Sequence, residues 1–369
     1  MARLPRQVAG FNIARGDAHD RANHAASGDD YRVETLPGGG TLAALADGVS
    51  SAYAPAQAST FVAEALAQRL GEAWAKGGTN MPAEVLHATL SEAARSVHDD
   101  LRVGRGTPTD GLAAVASAVL WPAERDGVTL VHAGDTRVYG VYVGAERTDA
   151  PDEPLVVQLT TDHTAVVMRE RRRGERDTSG GVVQHAAGIT QAYGLDDARY
   201  SPARPPDLKA ITFEPPGGAE LLAVALASDG WTGVVSDDRI RAGLVEAVAA
   251  VDVSQAVAAL VHDRAGRPDA DDCSLVVIRE PLTRRQRVAW GAGDPAPALA
   301  TARGACAVLA EALASGQLEL VREALAVLRD QSVSELGCRA WRSGLYDDVK
   351  ASAGSQLAWR DAGFLLGGR

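Results

Sequence analysis

The stretch Leu45-Ala46-Asp47-Gly48-Val49-Ser50-Ser51 constrains the fold more than any other part of the chain. An apolar run over residues 42–46 leads straight into an acidic residue and a glycine. That pattern suits a buried strand ending at a carboxylate, followed by a glycine whose bare backbone admits a close approach. The step recurs: an apolar run over 222–228 enters Asp229-Gly230, His132-Ala133-Gly134 enters Asp135, and Asp271-Asp272 stands just before the run 275–278. A single Asp-Gly pair is usually a turn or a cap. Repetition at the ends of buried strands points instead to a metal site built from oxygen ligands. If the strands are neighbours, uncompensated carboxylates raise one another's pKa and destabilise the fold, and a divalent cation removes the repulsion. Hard oxygen donors without a His/Cys cluster favour magnesium or manganese over zinc.

The order of elements predicts a layered α+β fold. Strands are expected over 8–16, 31–34 and 42–46, with a polar loop between the first two carrying His19, Arg21, Asn23, His24, Asp29 and Asp30. Two long amphipathic helices follow, read from Ala58, Phe61, Val62, Ala65, Leu66 and Leu70, and from Leu86, Leu90, Ala93, Val97 and Leu101. Pro82 suits the first turn of the second. Strand character returns over 111–121 and 128–143, the latter reading as a hairpin with a charged corner where Asp135 pairs with Arg137. Strands at 155–159, 208–213, 220–228 and 273–279 complete the set, with helices over 237–250 and 254–265. The segment 165–188, with its arginines at 169, 171, 172, 173 and 176, reads as an exposed loop. Residues 1–282 are expected to form the main domain and 283–369 an Ala-rich helical C-terminal extension, broken at Gly316.

Composition narrows the function. A formal charge of −11 argues against nucleic acid or an anionic membrane as the main partner. Three scattered cysteines, Cys273, Cys306 and Cys338, read as reduced thiols. The start of the chain lacks an apolar core of signal-peptide length, so a cytoplasmic location is expected. The Cys-x5-Arg spacing occurs once, at Cys273 and Arg279, across the apolar run read as the last strand and not across a phosphate-cradling loop.

Seven motifs occur in one order: Gly16-x-x-His19 with Asp29-Asp30; Ala46-Asp47-Gly48; Gly134-Asp135-Thr136-Arg137-Val138-Tyr139; Leu159-Thr160-Thr161-Asp162-His163; Ile189-Thr190-Gln191-Ala192-Tyr193-Gly194; Ala227-Ser228-Asp229-Gly230-Trp231; and Asp271-Asp272-Cys273-Ser274-Leu275-Val276-Val277. With these the chain resembles the metal-dependent Ser/Thr protein phosphatases of the PPM class (type 2C) in their bacterial form, from about residue 10 to 280. The resemblance implies a four-layer α-β-β-α sandwich with two magnesium or manganese ions at one end of the sheets, and leaves a third ion open. It implies that Asp47 is shared by both ions, that the Gly48 carbonyl ligates the second, and that Asp229 and Asp271 complete the first. Asp30 matches the aspartate that orients the attacking water. Asp29 sits where members carry Glu or Gln, and being a methylene shorter it implies contact through a bridging water.

The expected activity is hydrolysis of phosphoserine or phosphothreonine by a two-metal-activated water, without a phosphoenzyme. Arg21, with Arg15 as the other choice, is the candidate phosphate clamp, because a guanidinium bonds two phosphate oxygens at once. His19, with His24 beside it, is the candidate acid for the leaving oxygen. The implied partner is a phosphorylated protein, linked to a Ser/Thr kinase. The other reading is a phosphatase-like regulatory or phosphoprotein-binding module acting through residues 285–369.

Overall fold

The computed structural model describes residues 6–14, 27–50, 52, 54–78, 81–102, 111–123, 126–144, 154–164, 189, 191–194, 206–215, 219–233, 235–250, 252–265, 271–280, 302–316 and 321–325. Two compact units are present. One comprises residues 8–248 and 254–278; the other comprises 1–7, 249–253 and 279–369.

Among the described residues, the larger unit is built on ten strands in two five-stranded sheets. One sheet has the order β2 (Asp29–Thr35), β3 (Thr41–Gly48), β4 (Ala114–Trp121), β5 (Val128–Ala133) and β8 (Ile211–Phe213). The other has the order β1 (Gln7–Ile13), β10 (Cys273–Arg279), β9 (Glu220–Ala227), β6 (Arg137–Val143) and β7 (Leu155–Gln158). Within the first sheet every neighbouring pair is antiparallel, as are β6 with β7 and β6 with β9 in the second.

Side-chain alternation along β3 explains why its sequence is apolar throughout. Leu42, Ala44 and Ala46 pack into a cluster with Val62, Leu66 and Leu70 of α1 (Pro55–Ala75) and Leu86, Leu90 and Val97 of α2 (Ala83–Arg102). Ala43 and Leu45 face the other way, joining Val119 and Trp121 of β4 to Val138, Val224, Leu226, Val276 and Ile278 of the opposite sheet. A strand covered on both faces loses the apolar/polar alternation of a half-exposed one. Between β9 and β10 the chain forms α3 (Asp229–Thr232), α4 (Asp237–Ala249) and α5 (Val253–Ala265). Phe11 of β1 meets the His262 ring of α5 at 5.2 Å, and the Arg264 guanidinium of α5 lies 5.9 Å from the Trp231 ring. The α-β-β-α sandwich expected from the sequence is the observed architecture.

Two expectations fail. The 128–143 segment is not a hairpin: β5 and β6 belong to different sheets, and the chain crosses between them at Gly134-Asp135-Thr136. Nor do Asp29 and Asp30 lie in a loop, because β2 begins at Asp29. The crossing depends on Gly134, whose φ is +104° and whose would-be Cβ would stand 2.1 Å from Val115 Cγ1. Gly134→Ala therefore combines backbone strain of about 1–3 kcal/mol with overpacking of about 1–3 kcal/mol. A urea midpoint lowered by less than about 1 kcal/mol equivalent would contradict this account of the corner.

In the smaller unit, Arg279 is fully buried. Its Nε donates to Gln7 Oε1 at 2.7 Å, Nη1 to the Ala250 carbonyl at 2.7 Å, and Nη2 to Glu311 Oε1 at 3.1 Å. Arg6 Nε donates to Glu280 Oε1 at 2.7 Å. Glu311 belongs to α6 (Ala302–Ser315), which stops at Gly316 with φ +63°; residues 321–325 are helical again. The tryptophans at 290, 341 and 359, and Cys338, lie outside the described residues.

Candidate active site

Antiparallel pairing of β2 with β3 sets Asp29 directly opposite Asp47. Asp47 has the parity of Ala43 and Leu45, so it faces the interior of the sandwich at the end of the sheet. Gly48 is required by a backbone approach: a Cβ there would stand 2.2 Å from the Pro55 carbonyl oxygen at the start of α1. The Gly48 amide donates to the Gly28 carbonyl at 2.8 Å, which fixes the loop entering β2.

Asp29 is 2% exposed, and neither of its carboxylate oxygens has a hydrogen-bond partner. Burial raises its pKa well above the ordinary carboxylate value; the nearby hydroxyls of Ser228 and Ser274 oppose the rise, and the charges of Asp229 and Asp272 add to it. The Asp47 pKa is likewise raised, first by burial and then by Asp29, Asp229 and Asp135. Asp135 is pushed up to about 8, by burial and by the charges of Asp229 and Asp162. These residues come from β2, β3, the β5–β6 crossing and the end of β9, and the structure brings them to one end of the sandwich. The Asp271-Asp272 step joins them through its backbone, since a Cβ on Gly230 would stand 2.0 Å from the Asp272 carbonyl oxygen and 3.2 Å from the Asp271 carbonyl carbon.

The other expected site residues are placed differently. Asp271 is exposed, and its Oδ1 accepts the Asp272 amide at 2.9 Å. Asp30 lies on the helix-facing side of β2, opposite Ala46, where its carboxylate accepts Arg32 Nη1 at 2.7 Å. The same guanidinium reaches Glu64 Oε1 of α1 at 2.6 Å. Strand alternation thus brings Asp29, not Asp30, to Asp47. Arg15, His19, Arg21, Asn23 and His24 lie outside the described residues, as does the arginine cluster at 169–176.

The sequence pairs Arg137 with Asp135 at this corner, but the hydrogen bonds of Arg137 run to another carboxylate. Arg137 pairs with Asp162 instead, its Nη2 donating to Oδ2 at 2.8 Å and its Nε to both oxygens at 3.2 Å. Asp135 joins the acidic cluster, where the Arg137 charge partly opposes the rise in its pKa. Its membership had a sequence signal, because it ends a buried strand just as Asp47 and Asp229 do.

Behind Asp135 lies a buried polar network. His132 Nε2 bonds the Thr161 carbonyl at 3.1 Å and Nδ1 bonds Ser117 Oγ at 3.0 Å, while Ser117 Oγ also meets Thr136 Oγ1 at 2.8 Å. A carbonyl only accepts, so Nε2 carries the proton and the Ser117 hydroxyl donates to Nδ1. Burial, with the neighbouring His163 ring centroid 4.8 Å away, lowers the His132 pKa to about 3. The unfolded chain takes up a proton near pH 6.5 that the folded protein refuses, so His132 costs nothing above pH 6.5. Below it the group removes up to about 1.4 kcal/mol of stability per pH unit. Replacement by Asn should flatten this part of the stability–pH curve between pH 6.5 and 4. Equal slopes for the two proteins would mean that His132 is protonated in the fold.

The donor set fits a hard divalent cation in its chemistry: it is all oxygen, it is net negative, and it includes a buried carboxylate with no other partner. Among the described residues, however, no three ligand-type side chains already converge on one ion. No described helix is long and apolar enough to cross a membrane.

No protein-family model matches the sequence, and no curated protein matches it. Solved structures do match. A bacterial serine phosphatase is 18% identical with a TM-score of 0.52, covering 74% of this chain and 97% of its own. The S. agalactiae serine/threonine phosphatase is 17% identical with a TM-score of 0.51, covering 74% and 99%. Serine-threonine phosphatase 2C from Toxoplasma gondii is 16% identical with a TM-score of 0.53, covering 76% and 98%. The chain has the fold of the type 2C serine/threonine phosphatases.

Proposed function

We propose that the chain is a metal-dependent phosphoprotein phosphatase acting on phosphoserine or phosphothreonine. One observation carries the reading: Asp29 is buried and unpartnered across the strand pair from Asp47, with Asp229 and Asp135 charged against the same site. A fold does not keep such a cluster ionised near neutral pH without a cation to offset it. Asp47, Asp29 and Asp229 would hold magnesium or manganese with the Gly48 carbonyl, and Asp271 would join them from the rim by turning its carboxylate inward. Bound there, the ions would supply acidified water and neutralisation of phosphate charge.

The protein's own groups do the rest. The paired strands hold the carboxylates at their ends, and Gly48 and Gly230 let backbones approach closely enough to bring the strand ends together. Arg21 would clamp the phosphate and His19 would protonate the leaving oxygen; both assignments rest on the sequence motifs. A phosphorylated protein served by a Ser/Thr kinase is the proposed partner and the cytoplasm the proposed location. Residues 285–369 are proposed as a docking surface.

The test is hydrolysis of a phosphothreonine peptide with manganese, with EDTA, and by Asp229→Ala. Turnover that needs both metal and Asp229 supports the reading. Bound manganese without turnover would favour a binding module, and absence of binding would remove the metal site altogether.

A further inference from the structure

The acidic step before β10, Asp271-Asp272, has one carboxylate engaged at the loop that delivers Asp29. Asp272 Oδ2 accepts the Gly28 amide at 2.6 Å, a short charge-assisted bond to the residue immediately before Asp29. A Cβ on Gly28 would stand 2.6 Å from the same oxygen, so a side chain there would displace the Asp272 carboxylate. The Asp272 backbone is held from the other side: its carbonyl accepts the Ser228 hydroxyl at 3.5 Å and lies against Gly230. Ser228 and Ser274 close the join, with Ser228 N donating to Ser274 O at 3.1 Å and Ser274 N to Ser228 Oγ at 2.9 Å. Asp272 therefore spans the loop that delivers Asp29 and the turn that delivers Asp229.

A second tie acts on Asp29 itself. Asn12 Nδ2, from β1 in the other sheet, donates to the Asp29 carbonyl at 2.8 Å, and the Asp29 amide donates to Ser27 Oγ at 3.1 Å. The Asp29 backbone is thus bonded on both sides by side chains, one of them from across the sandwich. Such outer bonds are what orient a carboxylate that has no partner of its own.

We propose that Asp272 is a positioning residue, whose carboxylate clamps the Gly28 amide and so sets Asp29 against Asp47 and Asp229 for cation binding. This rests on the metal-site reading above, and what distinguishes it is that Asp272 works as a hydrogen-bond acceptor, not as a ligand. Asn keeps an acceptor oxygen at that place and loses the charge, whereas Ala loses both. In the full-length chain, calorimetric titration with manganese should show Asp272→Ala binding at least about tenfold more weakly than the wild type. Asp272→Asn should stay within about threefold. Amide exchange at Gly28 in the metal-free protein should quicken at least about tenfold in Asp272→Ala and remain slow in Asp272→Asn. If Asn binds manganese as poorly as Ala while Gly28 stays protected, Asp272 is a ligand and the proposal is overturned. It is equally overturned if Asp272→Ala binds manganese as the wild type does, or if Gly28 exchange is unchanged in that variant. Wild-type protein that takes no manganese would sink the metal-site reading instead, and Gly28 exchange would still decide whether the clamp exists.

Discussion

Asp47→Asn should make the metal-free protein more stable and the metal-loaded protein inactive. Both halves follow from one placement. Asp47 lies across the strand pair from Asp29 and is pushed above the ordinary carboxylate range by burial and by the charges of Asp29, Asp229 and Asp135. Its charge costs stability at every pH where it is ionised in the fold, and the amide removes that charge at almost unchanged volume. Metal-free Asp47→Asn should therefore melt above the wild type, by roughly 2–4 °C for each kcal/mol of repulsion relieved. Manganese should reverse the ranking. A cation at 100 times its dissociation constant adds about 2.7 kcal/mol to the wild type, and the variant should gain almost none of it. Turnover should fall by more than the 10–100-fold that follows loss of an outer-sphere partner, since Asp47 is proposed to touch both ions. The measurements are melting curves with EDTA and with manganese beside phosphothreonine-peptide hydrolysis. A variant that melts lower than the wild type in EDTA would show that Asp47 is favourably partnered in the fold and that its charge meets no net repulsion.

The same placement shows which parts of the molecule could be read from the chain and which could not. Runs 42–46 and 222–228 were legible because strands covered on both faces leave no polar alternation, and α1 and α2 because each carries one long apolar stripe. The acidic steps were legible as strand ends for the same reason. Strand partnership was not. Residues 128–143 carry the period of two strands around a tight corner, and nothing in that period distinguishes a hairpin from a crossing between sheets; Gly134 packs against Val115 of β4 at the crossing, a contact the local period does not show. Asp29 and Asp30 were assigned to a loop because the polar stretch before them has no strand period. Once β2 begins at Asp29, alternation sends the two carboxylates to opposite faces, and adjacency in sequence becomes separation in space. Asp272 was hidden for a related reason: its partner is the amide of Gly28, 244 residues earlier, and backbone groups leave no mark in a sequence.

Arg137 and Asp162 supply the largest expected change in stability. Their side chains are 5% and 2% exposed, and the guanidinium meets the carboxylate through two nitrogens, with Gln158 Nε2 donating to Asp162 Oδ1 at 3.2 Å. Burial alone would lower the Arg137 pKa, yet the Asp162 carboxylate, with Tyr139 beside it, more than offsets it and holds the guanidinium above its ordinary value. Asp162→Ala leaves that cation buried opposite a neutral side chain, at a cost of about 3–5 kcal/mol. Salt should change this little, because a buried pair is poorly screened. Arg137→Met combined with Asp162→Leu removes both charges and keeps apolar volume in their place. Replacements of this kind are often neutral or stabilising by about 1–4 kcal/mol, so the double variant should recover most of what Asp162→Ala loses. Urea unfolding of the wild type, Asp162→Ala and the double variant reads the comparison directly. If the double variant is no more stable than Asp162→Ala, the pair is holding the β5–β6 crossing and the 160–163 turn by its bonds, and the cost of an unpaired buried charge is not the cause of the loss. Recovery would show that charge compensation, not the geometry of the bonds, is what the fold requires beneath Asp135.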